Sequence, residues 1–199
     1  DLSVEMVSGG EVIDTVKQRI GLRTLTVSTA KDKHGSEFCF VLNGVKIFAM
    51  GANYIPQDNL LSRISRERTE KLLLDCCDAN FNCMRVWGGG YYPEDDFYDL
   101  CDELGLMVWQ DFMVACANIW LTAEFEANFI REAIYNIKRF RNHASLAMFC
   151  GNNEMEEAIE NWEGDSYNDL VRMDYLRLYE HILPELVDKY APETFYWPS

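Results

Sequence analysis

From residue 38 onward, the sequence alternates short apolar runs with longer segments whose apolar residues recur at the period of a helix. The apolar runs have the length of buried strands and span residues 46–54, 82–87, 106–112, 146–150 and 194–198. The helical segments lie between them, at about residues 65–80, 94–104, 122–142 and 167–190. Strands that alternate with helices at this spacing pair in parallel through right-handed crossovers. The sequence therefore predicts an α/β fold.

The beginning of the chain follows a different pattern. Residues 11–28 alternate apolar and polar side chains, which is typical of half-buried antiparallel strands. The polar, turn-rich stretch 29–37 follows and is the best candidate for a boundary. We therefore expect two units, residues 1–36 and residues 37–199. Two strands cannot form a domain on their own, so the first unit is expected to belong to a larger β domain.

The charge balance excludes two classes of partner. Thirty-three acidic residues against eighteen basic ones give a net charge of −15, which repels nucleic-acid phosphates and anionic lipid surfaces. No apolar stretch is long enough to suggest a membrane span. We expect neither a nucleic-acid partner nor a membrane partner.

The cysteines argue against a metal centre. The chain has seven of them, mostly within apolar segments and without C-x-x-C spacing, and it has only three histidines. Neither a metal nor another cofactor is predicted from this pattern. Free cysteines of this kind usually behave as small buried apolar residues and indicate a reducing compartment, so we expect a cytoplasmic protein. The first residues show no signal-peptide pattern.

Polar and aromatic residues stand where the predicted strands end. They are, in strand order, Asn53, Arg85 with Trp87, Asp111, Asn153 with Glu154, and Trp197. In a barrel of alternating strands and helices, the active site lies at these ends of the strands. Amides, carboxylates and aromatic rings suit a neutral polyhydroxylated ligand such as a sugar. The set contains no Ser-His-Asp or Cys-His combination.

Each of these residues also has a purely structural interpretation. Glu154 can supply negative charge to the first turn of a following helix, and Arg85 can be a structural ion-pair partner. Trp87 can belong to the core, and Trp162 can anchor a helix. The run 88–90, Gly-Gly-Gly, lacks the Lys and Ser or Thr of a phosphate loop, so we interpret it as a strand-to-helix turn. The joint occurrence of such residues at the ends of successive strands favours a pocket.

Four stretches carry a family resemblance. "GVKIFAMGANYIPQDN", "NFNCMRVWGGGYYPEDDFYDLCDELGLMVWQDFM", "RNHASLAMFCGNNE" and "FYWPS" together resemble the β-mannosidase branch of glycoside hydrolase family 2. The resemblance covers about residues 38–199 and implies the first half of a (β/α)8 TIM barrel, with about strands one to five. It also implies that residues 1–36 are the last strands of an immunoglobulin-like β-sandwich.

The resemblance implies roles for individual residues. Glu154 would be the general acid that protonates the leaving glycosidic oxygen, and afterwards the base that activates water. Asn153 would hydrogen-bond the 2-hydroxyl of the sugar, and Arg85 would hold the second catalytic carboxylate. The remaining contacts to a β-mannoside oligosaccharide would be Asn53, Trp87, Asp111, Trp162 and Trp197.

The resemblance also implies that one catalytic residue, the nucleophile, is not among these 199 residues. A retaining mechanism needs a second carboxylate as nucleophile, and the family carries it on a strand beyond Ser199. We therefore expect the chain to be an inactive fragment that self-associates through open barrel edges. Residues 118–120, "NIW", depart from the family pattern and leave the contacts of the third loop open.

Two other functions remain open at this point. The nearest is another family 2 exo-glycosidase, such as a β-galactosidase, a β-glucuronidase or an exo-glucosaminidase. The other, from a different class, is a carbohydrate-binding module without catalysis.

Overall fold

The structure, a computed structural model, describes residues 1–117, 119–162 and 168–199. The strands are β1 (Leu2–Ser8), β2 (Glu11–Gln18), β3 (Leu25–Ser28), β4 (Cys39–Leu42), β5 (Val45–Ile47), β6 (Gly51–Tyr54), β7 (Cys83–Val86), β8 (Met107–Asp111), β9 (Leu146–Cys150) and β10 (Phe195–Trp197). The helices are α1 (Arg66–Asp78), α2 (Asp95–Leu104), α3 (Ala123–Phe140), α4 (Met155–Asn161), α5 (Asp169–Tyr175) and α6 (Leu183–Tyr190), and a π-helical segment, Leu176–Ile182, joins the last two.

The central element is a five-stranded parallel sheet in the order β10-β9-β8-β7-β6. The order follows the sequence because each strand is followed by a helical crossover to its neighbour. One face packs against the helices, where Val86 and Val108 meet Leu73 and Ile137 in the larger core. The α/β prediction is confirmed, and the sheet is consistent with part of an α/β barrel.

A small antiparallel sheet, β3-β4-β5, packs against the other face of the parallel sheet. Its Leu25 and Phe40 contribute to a second core with Cys83 and Met107, which are the first residues of β7 and β8. This sheet therefore covers the amino-terminal ends of the parallel strands. The apolar run 46–54, predicted as one strand, is divided between β5 in this sheet and β6 in the parallel one.

The predicted boundary at residue 36 falls between two paired strands. β3 lies before it and β4 after it, and the two pair antiparallel from Leu25 with Leu42 to Ser28 with Cys39. β1 and β2 form a separate hairpin that is exposed along its whole length. The β-sandwich that the family resemblance implies is only partly evident in these two sheets, and the division into two domains stays a prediction.

Capping residues explain where the helices begin and end. The Ser65 hydroxyl accepts a hydrogen bond from Arg68 N at the start of α1, and Thr122 accepts one from Phe125 N at the start of α3. Gly105 ends α2 in the left-handed conformation that glycine adopts most easily. The predicted helix at 167–190 begins at residue 167, which lies outside the described residues. From Asp169 onward it continues through the π segment to Tyr190.

In the three ranges that the structure describes, no helix combines the length and the apolarity that crossing a lipid bilayer requires.

The two edges of the parallel sheet generate a prediction about assembly. Within the described residues, β6 pairs only with β7 and β10 only with β9, so each has an unpaired edge. Apolar side chains next to β6 are exposed, namely Phe48 by 82% and Met50 by 47%. Open edges with apolar neighbours promote association. We expect the sedimentation coefficient of the 199-residue chain to rise with protein concentration.

Two variants test whether the β6 edge mediates this association. Phe48→Lys adds a charge beside β6 and should weaken the concentration dependence. Leu22→Lys changes a side chain that is 90% exposed but lies between β2 and β3, and it should leave the association unchanged. A wild-type chain that sediments as a compact monomer at all concentrations would contradict the prediction.

Candidate active site

The Arg85 side chain connects the carboxyl ends of neighbouring strands. Its Nε and Nη2 atoms donate to the two carboxylate oxygens of Asp111, at 3.2 and 2.8 Å. Nη1 donates to Asn53 Oδ1 at 3.1 Å, and Nη2 also donates to Asn153 Oδ1 at 2.9 Å. Arg85 lies on β7, Asp111 on β8, Asn53 on β6 and Asn153 just after β9. A planar guanidinium can reach all three partners because its donors point in several directions.

Asp111, predicted as a substrate contact, is completely buried. Besides Arg85, Gly88 N donates to Oδ2 at 3.0 Å and Trp109 Nε1 donates to Oδ1 at 3.0 Å. Burial raises the pKa of Asp111 to about 6, while the Arg85 charge and these hydrogen bonds oppose the rise. The carboxylate is therefore ionised at neutral pH, and its geometry suits holding Arg85 in position.

The predicted catalytic pair follows β9 in a tight turn. Asn153 is nearly buried, and its backbone N donates to Val114 O at 2.9 Å. Glu154 is exposed and occupies the left-handed region with φ 61° and ψ 17°. For a residue with a side chain, that conformation costs about 1–2 kcal/mol relative to the right-handed one. Backbone strain of this kind at a residue with an exposed carboxylate is typical of functional sites.

Cys116 contacts both members of this pair. Its thiol donates to Glu154 Oε2 at 3.5 Å, and Asn153 Nδ2 donates to its sulfur at 3.7 Å. Desolvation, together with the hydrogen bond to Glu154 and its charge, raises the pKa of the Cys116 thiol. The thiol therefore keeps its proton at neutral pH and can donate it in a hydrogen bond to the carboxylate.

A cavity of about 580 Å³ opens beside these residues. Its lining consists of Arg85, Trp109, Asn153, Glu154, Glu156, Glu157, Glu160, Asn161 and Ser199. Three of the predicted site residues, Arg85, Asn153 and Glu154, thus come together around one space. Apart from Arg85, every charged side chain in this lining is acidic.

The other predicted contacts lie apart from the described lining of this cavity. Asn53 faces a separate groove of about 550 Å³ beside α1, although it is tied to Arg85. Trp87 is half-buried, and its ring lies so close to the backbone of Gly89 that a Cβ there would approach it to 2.0 Å. Trp162 follows the end of α4 and is 39% exposed. Trp197 is 40% exposed and packs edge-on against Phe38, with 5.3 Å between ring centroids.

The glycine run between β7 and α2 forms the predicted strand-to-helix turn. A Cβ on Gly88 would lie 2.7 Å from the carbonyl oxygens of Phe112 and Val114. Side chains are therefore excluded at Gly88 by the neighbouring carbonyl oxygens and at Gly89 by the Trp87 ring.

Sequence reasoning missed Trp109 and Cys116. The sequence could have predicted Trp109, because it precedes Asp111 by two positions on one strand and therefore lies on the same face of the sheet. It lines the cavity, and Arg85 lies over its ring at 5.8 Å. Cys116 resembles the other cysteines in sequence, and its exposure and left-handed backbone (φ 53°) are visible only in three dimensions.

One group of side chains outside the cavity has metal-ligand chemistry. In the described part of the chain, the ligand atoms of Asp99, Asp102 and His143 lie within 4.8 Å of one another. Both Asp102 oxygens, however, already have partners, His143 Nδ1 at 2.8 Å and Ser145 N at 2.7 Å. The group is therefore accounted for by hydrogen bonds that Asp102 of α2 makes with the residues just before β9.

The fold and the cavity together describe a class of protein, an α/β fold whose parallel sheet is consistent with part of a barrel and has an acidic cavity at the carboxyl ends of its strands. No protein-family model matches the chain. The β-mannosidase B of Aspergillus terreus is 42% identical over 208 residues, which cover all of this chain and 25% of that protein. The chain thus spans about a quarter of the length of the curated relatives that it matches.

Solved structures agree with the sequence match. The β-D-mannosidase of Dictyoglomus thermophilum superposes with a TM-score of 0.87 at 41% identity, over 96% of this chain and 23% of that one. A Bacteroides uniformis β-glucuronidase superposes with a TM-score of 0.69 at 19% identity, over 98% of this chain and 23% of that one, and shows the fold alone. The chain is therefore homologous, over its whole length, to one segment of the family 2 β-mannosidases, which confirms the resemblance noted in the sequence.

The Arg85 fork generates a prediction about stability. Lysine at this position keeps the charge beside Asp111 but cannot also reach Asn53 and Asn153. Hydrogen bonds to charged groups contribute about 1.5–3 kcal/mol each, so Arg85→Lys should lower the free energy of unfolding by about 2 kcal/mol or more. Urea denaturation of the purified chain measures this difference.

Arg19→Lys is the matched control. Arg19 also pairs with a carboxylate, Glu103 at 2.7 Å, but its side chain is 68% exposed. Exposed pairs contribute about 1 kcal/mol or less, so this variant should unfold nearly as the wild type does. Equal losses in the two variants would show that the fork has no special role.

Proposed function

We propose that this chain forms the acid/base half of the active site of a retaining glycoside hydrolase that releases terminal β-D-mannose from β-mannosides. The observation that carries the proposal is the setting of Glu154, an exposed carboxylate on a strained turn that opens into a cavity. The homologues named as β-mannosidases support the same activity.

Glu154 would act first as an acid and then as a base. It protonates the glycosidic oxygen as the bond to the sugar breaks, and it later removes a proton from the water that releases the sugar. Asn153 would hydrogen-bond the sugar 2-hydroxyl through the amide group whose oxygen is held by Arg85. Cys116 and Arg85 would keep this pair of side chains oriented.

The nucleophile would be a second carboxylate at about 5–5.5 Å from Glu154. Asp111 is poorly suited to that role because it is fully buried and already accepts hydrogen bonds from Arg85, Gly88 and Trp109. The expectation that the nucleophile lies beyond Ser199 stays part of the proposal. On that expectation, the 199 residues alone bind sugar without turning it over.

The charge of the cavity supports a neutral sugar over a uronic acid. Glu156, Glu157 and Glu160 line it on α4, and of these Glu160 pairs with Arg172. The single cation of the described lining, Arg85, is already paired with Asp111. A glucuronide would bring its own carboxylate into this negative field, at an unfavourable electrostatic cost. A mannoside has no charge and is not penalised.

The test is Glu154→Gln in the full-length protein. Removing the acid should lower kcat/KM for alkyl β-mannosides, whose leaving group needs a proton, by about 10²–10⁴. A dinitrophenyl β-mannoside, whose leaving group needs no proton, should retain most of its kcat/KM, because this ratio reports the step that forms the glycosyl-enzyme.

Glu157→Gln provides the control within the same cavity, since it removes an equal charge further along α4. It should change kcat/KM for both substrates by a similar small factor. Near wild-type hydrolysis of alkyl mannosides by the Glu154 variant would refute the assignment.

A further inference from the structure

We propose that Asn152 is a positioning residue for the acid/base carboxylate, holding the turn that carries Glu154 and fastening it to the end of β10. The inference rests on the proposed function of Glu154. It concerns a residue whose side chain does not line the described cavity and which therefore acts through its neighbour.

Three hydrogen bonds hold the Asn152 amide, two at its oxygen and one at its nitrogen. The side chain is completely buried. Its Oδ1 accepts from Met155 N and from Ser199 Oγ, both at 2.9 Å, and its Nδ2 donates to Pro198 O at 2.7 Å. A buried amide with three partners has one orientation, because any rotation leaves polar atoms without partners.

Because of the contact with Met155, Glu154 does not have to cap α4 with the same carboxylate that faces the cavity. Glu154 is the N-cap residue of α4, yet its side chain makes no capping hydrogen bond. The Asn152 amide caps the first N–H of the helix from two residues further back. This arrangement leaves the Glu154 carboxylate free to face the cavity, and it bends the intervening backbone so that Glu154 takes its left-handed conformation.

The contacts on the other side fix the turn relative to a neighbouring strand. Gly151 N donates to Trp197 O at 2.8 Å, one residue before the Asn152 contact with Pro198. The two segments pack so closely that a Cβ on Gly151 would lie 2.5 Å from Pro198 O. The Asn152 side chain therefore holds the start of α4 in a fixed position relative to the end of β10.

Loss of this amide should displace the acid without removing it. In Asn152→Ala, the Met155 N–H and the Pro198 carbonyl lose their partner, and the left-handed Glu154 loses the cap that holds it. Proton transfer depends steeply on geometry, and a displacement of about 1 Å can cost about 10²-fold in rate. The loss should fall on substrates whose leaving group needs the proton.

The experiment measures kcat/KM for an alkyl β-mannoside and for dinitrophenyl β-mannoside in the full-length protein. Asn152→Ala should lose roughly 10²-fold on the alkyl substrate and less than about fivefold on the dinitrophenyl one. Asn152→Asp keeps the oxygen that accepts from Met155 N and Ser199 Oγ, so it should recover part of the activity on the alkyl substrate. If the alanine variant does not fold, the aspartate variant provides the test.

Asn168→Ala is the matched control. Asn168 caps α5 through hydrogen bonds from Leu170 N and Val171 N, so its loss removes a similar cap elsewhere. It should affect the two substrates equally. Equal losses on both substrates in Asn152→Ala, or no loss on either, would overturn the inference. Glu154→Gln, measured alongside, tests the proposed function separately: if it shows no dependence on the leaving group, the assignment of the acid fails as well.

Discussion

The arrangement of the whole carboxyl edge of the sheet depends on one ion pair, between Arg85 and Asp111. The carboxylate is completely removed from water, and such a charge is tolerated only when donors surround it. The guanidinium supplies two of them and then extends to Asn53 on one side and Asn153 on the other. Removing either partner would leave a charge uncompensated at the point where the strands meet the site.

This ion pair also determines which groups surround Glu154. Because the Arg85 charge is engaged, Glu154 has neutral neighbours, the Cys116 thiol and the Asn153 amide. Under the proposed function Glu154 gives and takes a proton in turn, and these two neighbours contact it without placing a second charge beside it. The acidic side chains of α4 line the same cavity, so an anionic ligand would enter it at an electrostatic cost.

The sequence predicted the order of the strands well, because the helical period and the strand length are local properties. It also predicted a site at the carboxyl ends of the strands, where Arg85, Asn153 and Glu154 line one cavity. It could not tell which polar side chains at those ends face solvent. Asp111 and Glu154 are alike as residue types, yet one is enclosed by donors from β7 and β8 and the other projects from a turn. That difference arises from contacts between residues distant in the chain. The division of 46–54 into two strands has the same origin, since each half pairs with a different sheet.

The way in which the small antiparallel sheet is held has a consequence for synthesis. Arg23, just before β3, donates to the carbonyls of Ala144 and Leu146, at sequence separations of 121 and 123 residues. At a translation rate of about 5–20 residues per second, those partners emerge roughly 6–24 seconds after Arg23. Until β9 has been made, the apolar side chains of Leu25 and Phe40 lack the part of their core that Ala147 and Met148 supply. The nascent chain therefore exposes part of its apolar surface until β9 has been made, and surface of this kind is prone to aggregation.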